Sequence, residues 1–239
     1  MELAERLACL GEAAAALVEN GQIVGLGTGS TANAVIRAPG QPAAAGPRIS
    51  GVVTSSYTEA LATRWGIPLI PLNDIDTIDI GIDGADEIDP ALNVIKGRGG
   101  ALLYEKIVAE RCRRYVIISA DEKLVTQLGM RLPLPVEVIS YGWHHTAARL
   151  AELGLYPALR VENDGTQIIT DGGHFLLDCE PAPIADAVAL GAAIKLLTGV
   201  VDHGLFCGLA TDTLVVDKDG AITHQARSGD SARSPRPAD

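Results

Sequence analysis

The sequence lacks the paired cysteines of zinc ribbons and dithiol redox centres. Its four cysteines, at positions 9, 112, 179 and 207, are scattered through 239 residues without a C-x-x-C spacing. A chain of this length can bury a core without disulfides. We therefore interpret the cysteines as reduced thiols, most of them buried.

Long apolar runs and basic stripes are missing as well. No segment is apolar over the length needed to cross a bilayer, and Met1–Val18 is an amphipathic pattern interleaved with glutamate, unlike a signal peptide. The formal net charge of -11, without a stripe of Lys and Arg, argues against a nucleic-acid surface. A small anion needs only a local group of donors, so a phosphate ligand is compatible with this charge. We expect a cytoplasmic protein without a membrane or nucleic-acid partner.

Short apolar segments alternate with helical patterns in the first half of the chain. The predicted strands are Ile23–Leu26, Ile49–Val53, Pro68–Ile70, Asp76–Ile82 and Tyr115–Ile118. The predicted helices are Met1–Val18, one from about Ala32, one running to about Arg64, and Ala101–Arg111. Repeated strand, loop and helix units predict an α/β fold, with a mostly parallel sheet covered by helices on both faces.

The pattern changes at Leu132–Pro135, where two prolines interrupt it. A new segment starts with Val136–Ile139. The elements predicted from there on are helices at Thr146–Leu153 and Ile184–Leu197, and two strands joined at Asn163–Gly165. They define a small α+β domain over residues 132–203. Residues 1–131 and 204–226 form the main domain, which ends in a hairpin around Asp217–Gly220. Residues 227–239, rich in Ser, Arg and Pro, are predicted to be a disordered tail.

A glycine-rich segment, G-L-G-T-G-S-T at positions 25–31, overlaps the end of the first predicted strand and continues beyond it. Glycines let backbone N–H groups approach a ligand, and hydroxyl groups beside a helix N-terminus favour an anion. The spacing differs from those of the dinucleotide-binding and NTP-binding glycine motifs. We interpret Thr28, Gly29, Ser30 and Thr31 as a site for a phosphate or a sugar hydroxyl. A plain tight turn is the alternative.

An acidic segment, D-G-A-D-E-I-D, follows the predicted strand that ends near Ile82. Open α/β sheets bind ligands at the carboxyl ends of their strands, so Asp83 and Asp86 are candidates for acid-base work. A solvated acidic turn and a divalent-cation site are the alternatives. The segment lacks the EF-hand spacing and a nearby histidine, and we predict no metal.

A second glycine loop reads K-G-R-G-G at positions 96–100 and precedes the predicted helix that carries Glu105. Lys96 is suited to neutralise an oxyanion, and Glu105 is suited to reach the same cleft. A surface glutamate paired with nearby lysines is the alternative for Glu105. Hydroxyl-bearing glycine loops, a carboxylate base and a lysine with aspartate partners together indicate aldose-ketose isomerisation through an enediolate, without a cofactor.

Seven motifs occur in order along the chain: G-L-G-T-G-S-T-A (25–32), T-S-S-Y-T (54–58), D-G-A-D-E-I-D (83–89), K-G-R-G-G-A-L-L-Y-E-K-I-V-A (96–109), P-L-P-V-E-V (133–138), T-D-G-G-H-F-L-L-D (170–178) and G-V-V-D-H-G-L-F (199–206). Through them the chain resembles ribose-5-phosphate isomerase A over nearly its whole length. The resemblance implies a Rossmann-like main domain, a smaller α+β domain and a homodimer or homotetramer. It also implies interconversion of D-ribose 5-phosphate and D-ribulose 5-phosphate in the non-oxidative pentose phosphate pathway.

The resemblance also implies a role for each site residue. Glu105 matches the proton-abstracting base, Asp83 and Asp86 match paired aspartates that assist ring opening and move protons between the two oxygens, and Lys96 completes the catalytic set. The implied substrate-binding residues are Thr28, Gly29, Ser30, Thr31, Asp83, Gly84, Ala85, Asp86, Lys96, Gly97, Arg98, Gly99 and Lys123.

The chain departs from the family pattern at several positions. Leu7 stands where a phosphate-contacting lysine is expected, and Arg6 and Arg98 are the candidates to replace it. Arg98 also stands in a loop that usually reads K-G-G-G-G. Lys123 takes the family's lysine position only with one residue deleted before it. His174 stands where asparagine is common, and we interpret it as a surface or interface group.

Other functions stay open at this point. A non-catalytic sugar-phosphate sensor is one, since related folds bind effectors in transcription regulators, although this sequence shows no helix-turn-helix segment. An isomerase of another sugar phosphate is a second. A third is another enzyme with a similar glycine loop, such as an amino-sugar-phosphate deaminase or a CoA transferase.

Overall fold

The computed structural model describes residues 1–29, 47–180 and 183–227. The chain divides into two compact units. The first unit comprises residues 1–85, 104–123 and those from 208 on, and the second comprises residues 86–103 and 124–207. The domain boundaries drawn from the sequence stay a prediction.

The described helices and strands are numbered in chain order. The helices are α1 (Leu3–Ala15), α2 (Ser56–Arg64), α3 (Leu102–Arg111), α4 (Trp143–Glu152) and α5 (Ala187–Lys195). The strands are β1 (Ile23–Leu26), β2 (Ser50–Val53), β3 (Ile78–Asp83), β4 (Glu87–Ile88), β5 (Val94–Ile95), β6 (Cys112–Ala120), β7 (Leu134–Val138), β8 (Pro157–Leu159), β9 (Phe175–Cys179), β10 (Val200–His203), β11 (Leu205–Phe206), β12 (Asp212–Val216) and β13 (Ile222–Ala226). Short 3-10 helices lie at Leu72–Asp74 and Asp121–Lys123.

A six-stranded sheet forms the centre of the first unit, in the order β13-β12-β6-β3-β1-β2. All neighbours are parallel except β12 and β13, which form the predicted hairpin. Leu26 of β1 pairs with Ile82 of β3, so these two strands end at the same edge of the sheet. The predicted α/β fold with a mostly parallel sheet is confirmed.

Successive residues of a strand point to opposite faces of a sheet, so this buried sheet has two apolar faces. Helices cover both of them. On one face, Ile80 belongs to a buried cluster with Leu10 of α1 and Ala62 of α2. On the other face, a Cβ atom added to Gly25 would lie 2.9 Å from Val108 of α3, so strand and helix backbones approach closely there.

Two predicted features of the first unit differ from the structure. Pro68–Ile70 is not a strand; it forms a single bridge between Leu69 and Gly51, because proline has no backbone N–H to extend a ladder. The first helix is shorter than predicted at both ends. The helix predicted from Ala32 begins outside the described residues, as does the predicted tail after Arg227.

The second unit contains two antiparallel sheets, with strand orders β10-β7-β9-β8 and β11-β5-β4. Its buried core includes Val136, Leu150, Leu177 and Ile194. The turn at Asn163–Gly165 is present, but its arms meet only at one bridge, and β8 pairs instead with β9 beyond a second turn. In the described part of the chain, no helix combines the length and apolar character needed to cross a membrane.

Candidate active site

Side-chain hydroxyl groups hold the loop that follows β1. Thr28 Oγ1 lies 2.8 Å from Thr54 Oγ1, 2.8 Å from Ser55 Oγ and 3.1 Å from Thr58 Oγ1. We call Thr28, Thr54, Ser55 and Thr58 the hydroxyl cluster. Its last three members are buried, so the position of Thr28 is fixed by the T-S-S-Y-T segment.

The same segment explains how the hydroxyl cluster is built. Ser55 is the N-cap of α2 and accepts a hydrogen bond from the backbone N–H of Thr58 at 3.1 Å. Thr54 and Thr58 donate to the carbonyls of Leu26 and Gly27, at 2.8 and 3.2 Å. The start of helix α2 therefore fixes the backbone at the end of β1. Ser30 and Thr31 lie outside the described residues.

Asp83, the last residue of β3, packs directly against the loop after β1. A Cβ atom added to Gly27 would lie 2.3 Å from Asp83 Cγ and 2.7 Å from Asp83 Cα. No side chain other than hydrogen fits at position 27 without moving a strand end. Because Gly27 has no side chain, the Asp83 carboxylate can lie against the backbone directly before Thr28.

The Asp83 carboxylate is only 1% exposed and accepts hydrogen bonds from a phenol and from a backbone N–H. Tyr115 Oη donates to Oδ2 at 3.1 Å, and the backbone N–H of Gly84 donates to Oδ1 at 2.8 Å. Hydrogen bonds of this kind offset the cost of removing a carboxylate from water. Asp83 is therefore an oriented acceptor in the first unit.

Glu105 and Asp83 both act electrostatically on Tyr115. Glu105 lies in the first turn of α3 and is 4% exposed, so it is not a surface glutamate. Burial raises the pKa of Tyr115 well above its ordinary value, and the negative charges of Asp83 and Glu105 raise it further. Burial, with the charge of Asp83, also raises the pKa of the Cys112 thiol. Tyr115 is therefore a neutral donor beside two carboxylates.

In the second unit, Asp86 is tied to the loop of residues 96–100, which we call the Lys96 loop. The backbone N–H of Asp86 donates to the carbonyl of Ile95 at 2.8 Å. Its Oδ2 accepts from the backbone N–H of Arg98 at 3.0 Å. Gly84, Ala85 and Asp86 are all half-buried.

Lys96 is 3% exposed and is held by the G-V-V-D-H-G-L-F segment. Its backbone N–H donates to the carbonyl of Gly204 at 2.9 Å. Its Nζ lies 5.8 Å from the centre of the Phe206 ring, within the range of a cation-π contact. Gly204 and Phe206 of this motif therefore help to hold Lys96 in position.

The Lys96 loop has a backbone that requires glycine. Gly97 has a φ of +109°, and a Cβ atom there would lie 2.8 Å from a methyl carbon of Leu102. The N–H of Gly100 donates to the carbonyl of Gly97 at 3.1 Å and closes a turn. Arg98 and Gly99 are exposed at its tip.

Arg160 supports this turn and was not predicted from the sequence. Its guanidinium donates to the carbonyls of Gly97 and Arg98, at 2.9 and 3.1 Å, and pairs with Asp178. It stands in no glycine loop or acidic motif, and no local pattern separates it from other arginines.

Glu87, next in the acidic segment, has a structural role. Its carboxylate is fully buried and accepts the backbone N–H groups of Gly129, Arg131 and Leu132, at 2.6 to 2.9 Å. A solvated acidic turn therefore does not describe the segment. Among the described residues, no group of three or more His, Cys, Asp and Glu side chains is arranged to hold a metal ion.

Two sequence interpretations require correction. Arg6, a candidate phosphate partner, is buried and paired with Asp121 at 3.3 Å and Glu122 at 2.5 Å. The hydrogen bond from Arg6 lowers the pKa of Glu122 to about 2. Arg6 thus has an internal role, because it anchors the short 3-10 helix that ends in the half-buried Lys123.

His174, interpreted as a surface or interface group, is half-buried and is the partner of a buried carboxylate in the second unit. Its Nδ1 lies 2.9 Å from Oε1 of Glu137, which also accepts from Thr170 Oγ1 at 2.8 Å. Glu137 belongs to β7 and is almost completely buried. The sequence interpretation missed this partner because the carboxylate is distant in sequence.

Comparisons with known proteins agree with the motifs. The family model for ribose 5-phosphate isomerase A (phosphoriboisomerase A) matches residues 50–220. Ribose-5-phosphate isomerase A of Thermomicrobium roseum is 49% identical over 216 residues, which are 90% of this chain and 91% of the relative. A solved ribose 5-phosphate isomerase from Plasmodium falciparum is 34% identical, with a TM-score of 0.91 over 95% of this chain and 100% of its own.

A further solved D-ribose-5-phosphate isomerase, in complex with phospho-erythronic acid, is 32% identical. Its TM-score is 0.91, and the match covers 95% of this chain and 100% of that chain. The family match spans more than half of the chain, and the sequence identities hold over nearly its full length. The chain belongs to the ribose 5-phosphate isomerase A family.

Proposed function

We propose that the chain interconverts D-ribose 5-phosphate and D-ribulose 5-phosphate by moving a proton between C2 and C1 through an enediolate. Family membership supports this reaction, and a structural relative in complex with phospho-erythronic acid supports a phosphorylated sugar as ligand. The observation that carries the proposal is the placement of Glu105. In the first turn of α3, the buried carboxylate of Glu105 acts electrostatically on Tyr115, as that of Asp83 does, and Asp83 adjoins the loop of the hydroxyl cluster.

In this proposal Glu105 is the base that removes the C2 proton of the open-chain aldose and returns it to C1. Burial shields the base from water, which favours transfer to carbon over loss of the proton to solvent. Asp83, fixed by Tyr115, assists ring opening and moves protons between O1 and O2. We assign to Asp86 the role of the second aspartate of the pair, which assists Asp83. The ammonium group of Lys96 stabilises the enediolate oxygens.

The remaining site residues bind the substrate in this proposal. Thr28 and Gly29, with Ser30 and Thr31, take the phosphate or a sugar hydroxyl group. The other contacts come from the backbone of the two motif loops and from one lysine, namely Gly84, Ala85, Gly97, Arg98, Gly99 and Lys123. The hydrogen-bonded hydroxyl of Thr28 supports the assignment of the first loop. The fixed peptide groups of Gly97 and Arg98 support the assignment of the Lys96 loop.

Replacing Glu105 with glutamine tests the proposed base. The amide keeps the size of the side chain but cannot accept the C2 proton, so we expect kcat for ribose 5-phosphate to fall by roughly 10³-fold with KM little changed. Ribulose 5-phosphate formation is followed without added nucleotide or metal. Glu110→Gln, on an exposed position of the same helix, is the control and should retain full activity. An unchanged kcat in Glu105→Gln would refute the assigned base.

Assays with several aldose phosphates test the substrate assignment. We expect the highest kcat/KM with ribose 5-phosphate. A higher kcat/KM with another aldose phosphate would identify that sugar phosphate as the preferred substrate. Calorimetric binding of ribose 5-phosphate without turnover, at high protein concentration, would instead favour a sensor.

We also propose a homodimer or homotetramer in the cytoplasm. Large apolar side chains of the second unit, Tyr141, Tyr156 and Leu196, are highly exposed in the single chain, which supports an interface between copies. All four cysteines are free thiols, which supports a reducing compartment. Sedimentation equilibrium distinguishes the dimer from the tetramer, and cell fractionation tests the location.

A further inference from the structure

Arg160, just after β8, links a strand of the second unit to the Lys96 loop. Its Nε donates to Oδ2 of Asp178 at 2.8 Å, and its Nη2 donates to the other carboxylate oxygen. Its Nη1 donates to the carbonyl oxygens of Gly97 and Arg98, at 2.9 and 3.1 Å. The Arg160 side chain is only 13% exposed, so solvent competes little for these contacts.

These bonds orient two successive peptide groups at the tip of the loop. In a trans peptide the N–H points opposite to the C=O. The carbonyl of Gly97 faces Arg160, and the N–H of Arg98, in the same peptide group, donates to Asp86 at 3.0 Å. In the next peptide group the carbonyl of Arg98 faces Arg160, so the N–H of Gly99 is directed away from it.

The glycine-rich Lys96 loop needs the hydrogen bonds from Arg160 to stay ordered. Gly97 and Gly100 both have positive φ angles, and glycine loses more conformational entropy on ordering than any other residue. The rigid guanidinium fork binds a carboxylate on one edge and still has a donor for the carbonyls. Asp178 belongs to β9, which pairs with both β7 and β8, so the arginine is anchored to a sheet.

We propose that Arg160 is a positioning residue of the isomerase, which orders the Lys96 loop before the substrate arrives. This inference rests on the proposed function, because it takes the loop to be a substrate contact. Arg160 acts through the peptide groups of Gly97 and Arg98 and does not touch the substrate. Without it, substrate binding would have to order the loop, at a cost in affinity.

Arg160→Gln and Arg160→Lys test the proposal. We expect kcat/KM for ribose 5-phosphate to fall by about 10- to 100-fold in Arg160→Gln, mainly through KM, because a small misplacement of a site costs this much. Arg160→Lys should recover part of the loss, since an ammonium group can still reach a carbonyl. Hydrogen exchange of the amides in residues 96–100, read by mass spectrometry, should be faster in Arg160→Gln.

Two further variants separate positioning from general stability. Asp178→Asn removes the anchor of the guanidinium and should shift KM in the same direction, by less. Arg149→Gln breaks an exposed ion pair with Glu152 in α4 and should change neither KM nor loop exchange. All variants are assayed where circular dichroism shows them fully folded.

Normal kcat/KM and normal loop exchange in folded Arg160→Gln would overturn the proposal, as would a lowered melting temperature with normal kcat/KM. An inactive wild-type protein would contradict the isomerase function instead. In that event the exchange rates of the Lys96 loop still decide whether Arg160 orders it.

Discussion

The phenol of Tyr115 has two carboxylates near it in the first unit, those of Asp83 and Glu105. The phenol is buried, and its pKa is raised by burial and by both negative charges. The folded chain therefore holds the phenolic proton more tightly than the unfolded chain does. Alkali should therefore favour the unfolded chain, which releases this proton first.

The stability of the protein should reflect this proton. The contribution is fully present below the unfolded pKa of about 10 and is lost as the pH rises above it, because only the unfolded state then releases the proton. The free energy of unfolding of Tyr115→Phe should therefore fall less steeply between about pH 9 and 11 than that of the wild type. Urea titrations across this range measure the difference.

The control for this experiment is Tyr141→Phe, since Tyr141 is 90% exposed. The comparison concerns slopes with pH, because removing the Tyr115 hydroxyl also deprives Asp83 of a donor at every pH. Equal slopes in the wild type and Tyr115→Phe would show that the buried phenol does not set the alkaline stability.

Local spacing made several residues predictable. Asp83 and Glu105 were identified because strand ends and helix starts can be read from short windows. Tyr115 and Arg160 were missed because their partners lie 32 and 63 positions away, and no local pattern spans such distances. The sequence therefore indicated the groups to which we assign the chemistry, and the structure supplied the groups that hold them.

Among the short elements, β4 is held by a side chain as well as by its ladder. It has two residues and pairs with the equally short β5, and pairs of that length are marginal in isolation. The Glu87 side chain of β4 ties it to the segment of residues 129–132 through three backbone N–H groups. This carboxylate fixes the strand that directly follows Asp86.

Replacing Glu87 with glutamine should destabilise the protein. One carboxylate oxygen becomes an NH₂ group that cannot accept, so at least one of the three backbone N–H groups loses its partner. An unsatisfied donor costs about 1–3 kcal/mol where it is buried. Urea unfolding at neutral pH measures the loss. Glu152→Gln, on the exposed side of α4, should leave the unfolding midpoint unchanged. A midpoint equal to the wild type's in Glu87→Gln would mean that the 129–132 segment needs no carboxylate.

Elements were predictable where a period could be read. Strands β1, β2 and β3 were located from their apolar patterns, and the hairpin of β12 and β13 from its turn. Strands β4, β5 and β11 have two residues each, which is too few to show a period. They were missed for that reason, and Pro68–Ile70 was wrongly included because apolar residues alone do not make a ladder.

The net charge of the chain, -11, and the charge of the phosphate of the proposed substrate have the same sign. The long-range field of such a protein opposes the approach of an anion, and salt screens this field over about 10 Å at 0.1 M. The local donors of the proposed site act at shorter range, so the two effects can be separated by ionic strength.

We expect kcat/KM for ribose 5-phosphate to rise as ionic strength increases from low values to about 0.1 M. Sodium chloride and potassium acetate are compared, so that competition by one particular anion is recognised. A steady fall in kcat/KM with both salts would show that local positive charge, and not the net charge, governs the approach of the substrate.

The contact of Arg160 with the Lys96 loop limits how far this enzyme can be shortened. A truncated form ending near residue 131 would keep both glycine loops, the motif aspartates and Glu105, yet it would lack the guanidinium that clamps the loop carbonyls. Any engineered minimal version must therefore retain β8 and β9, although neither strand supplies an assigned catalytic group.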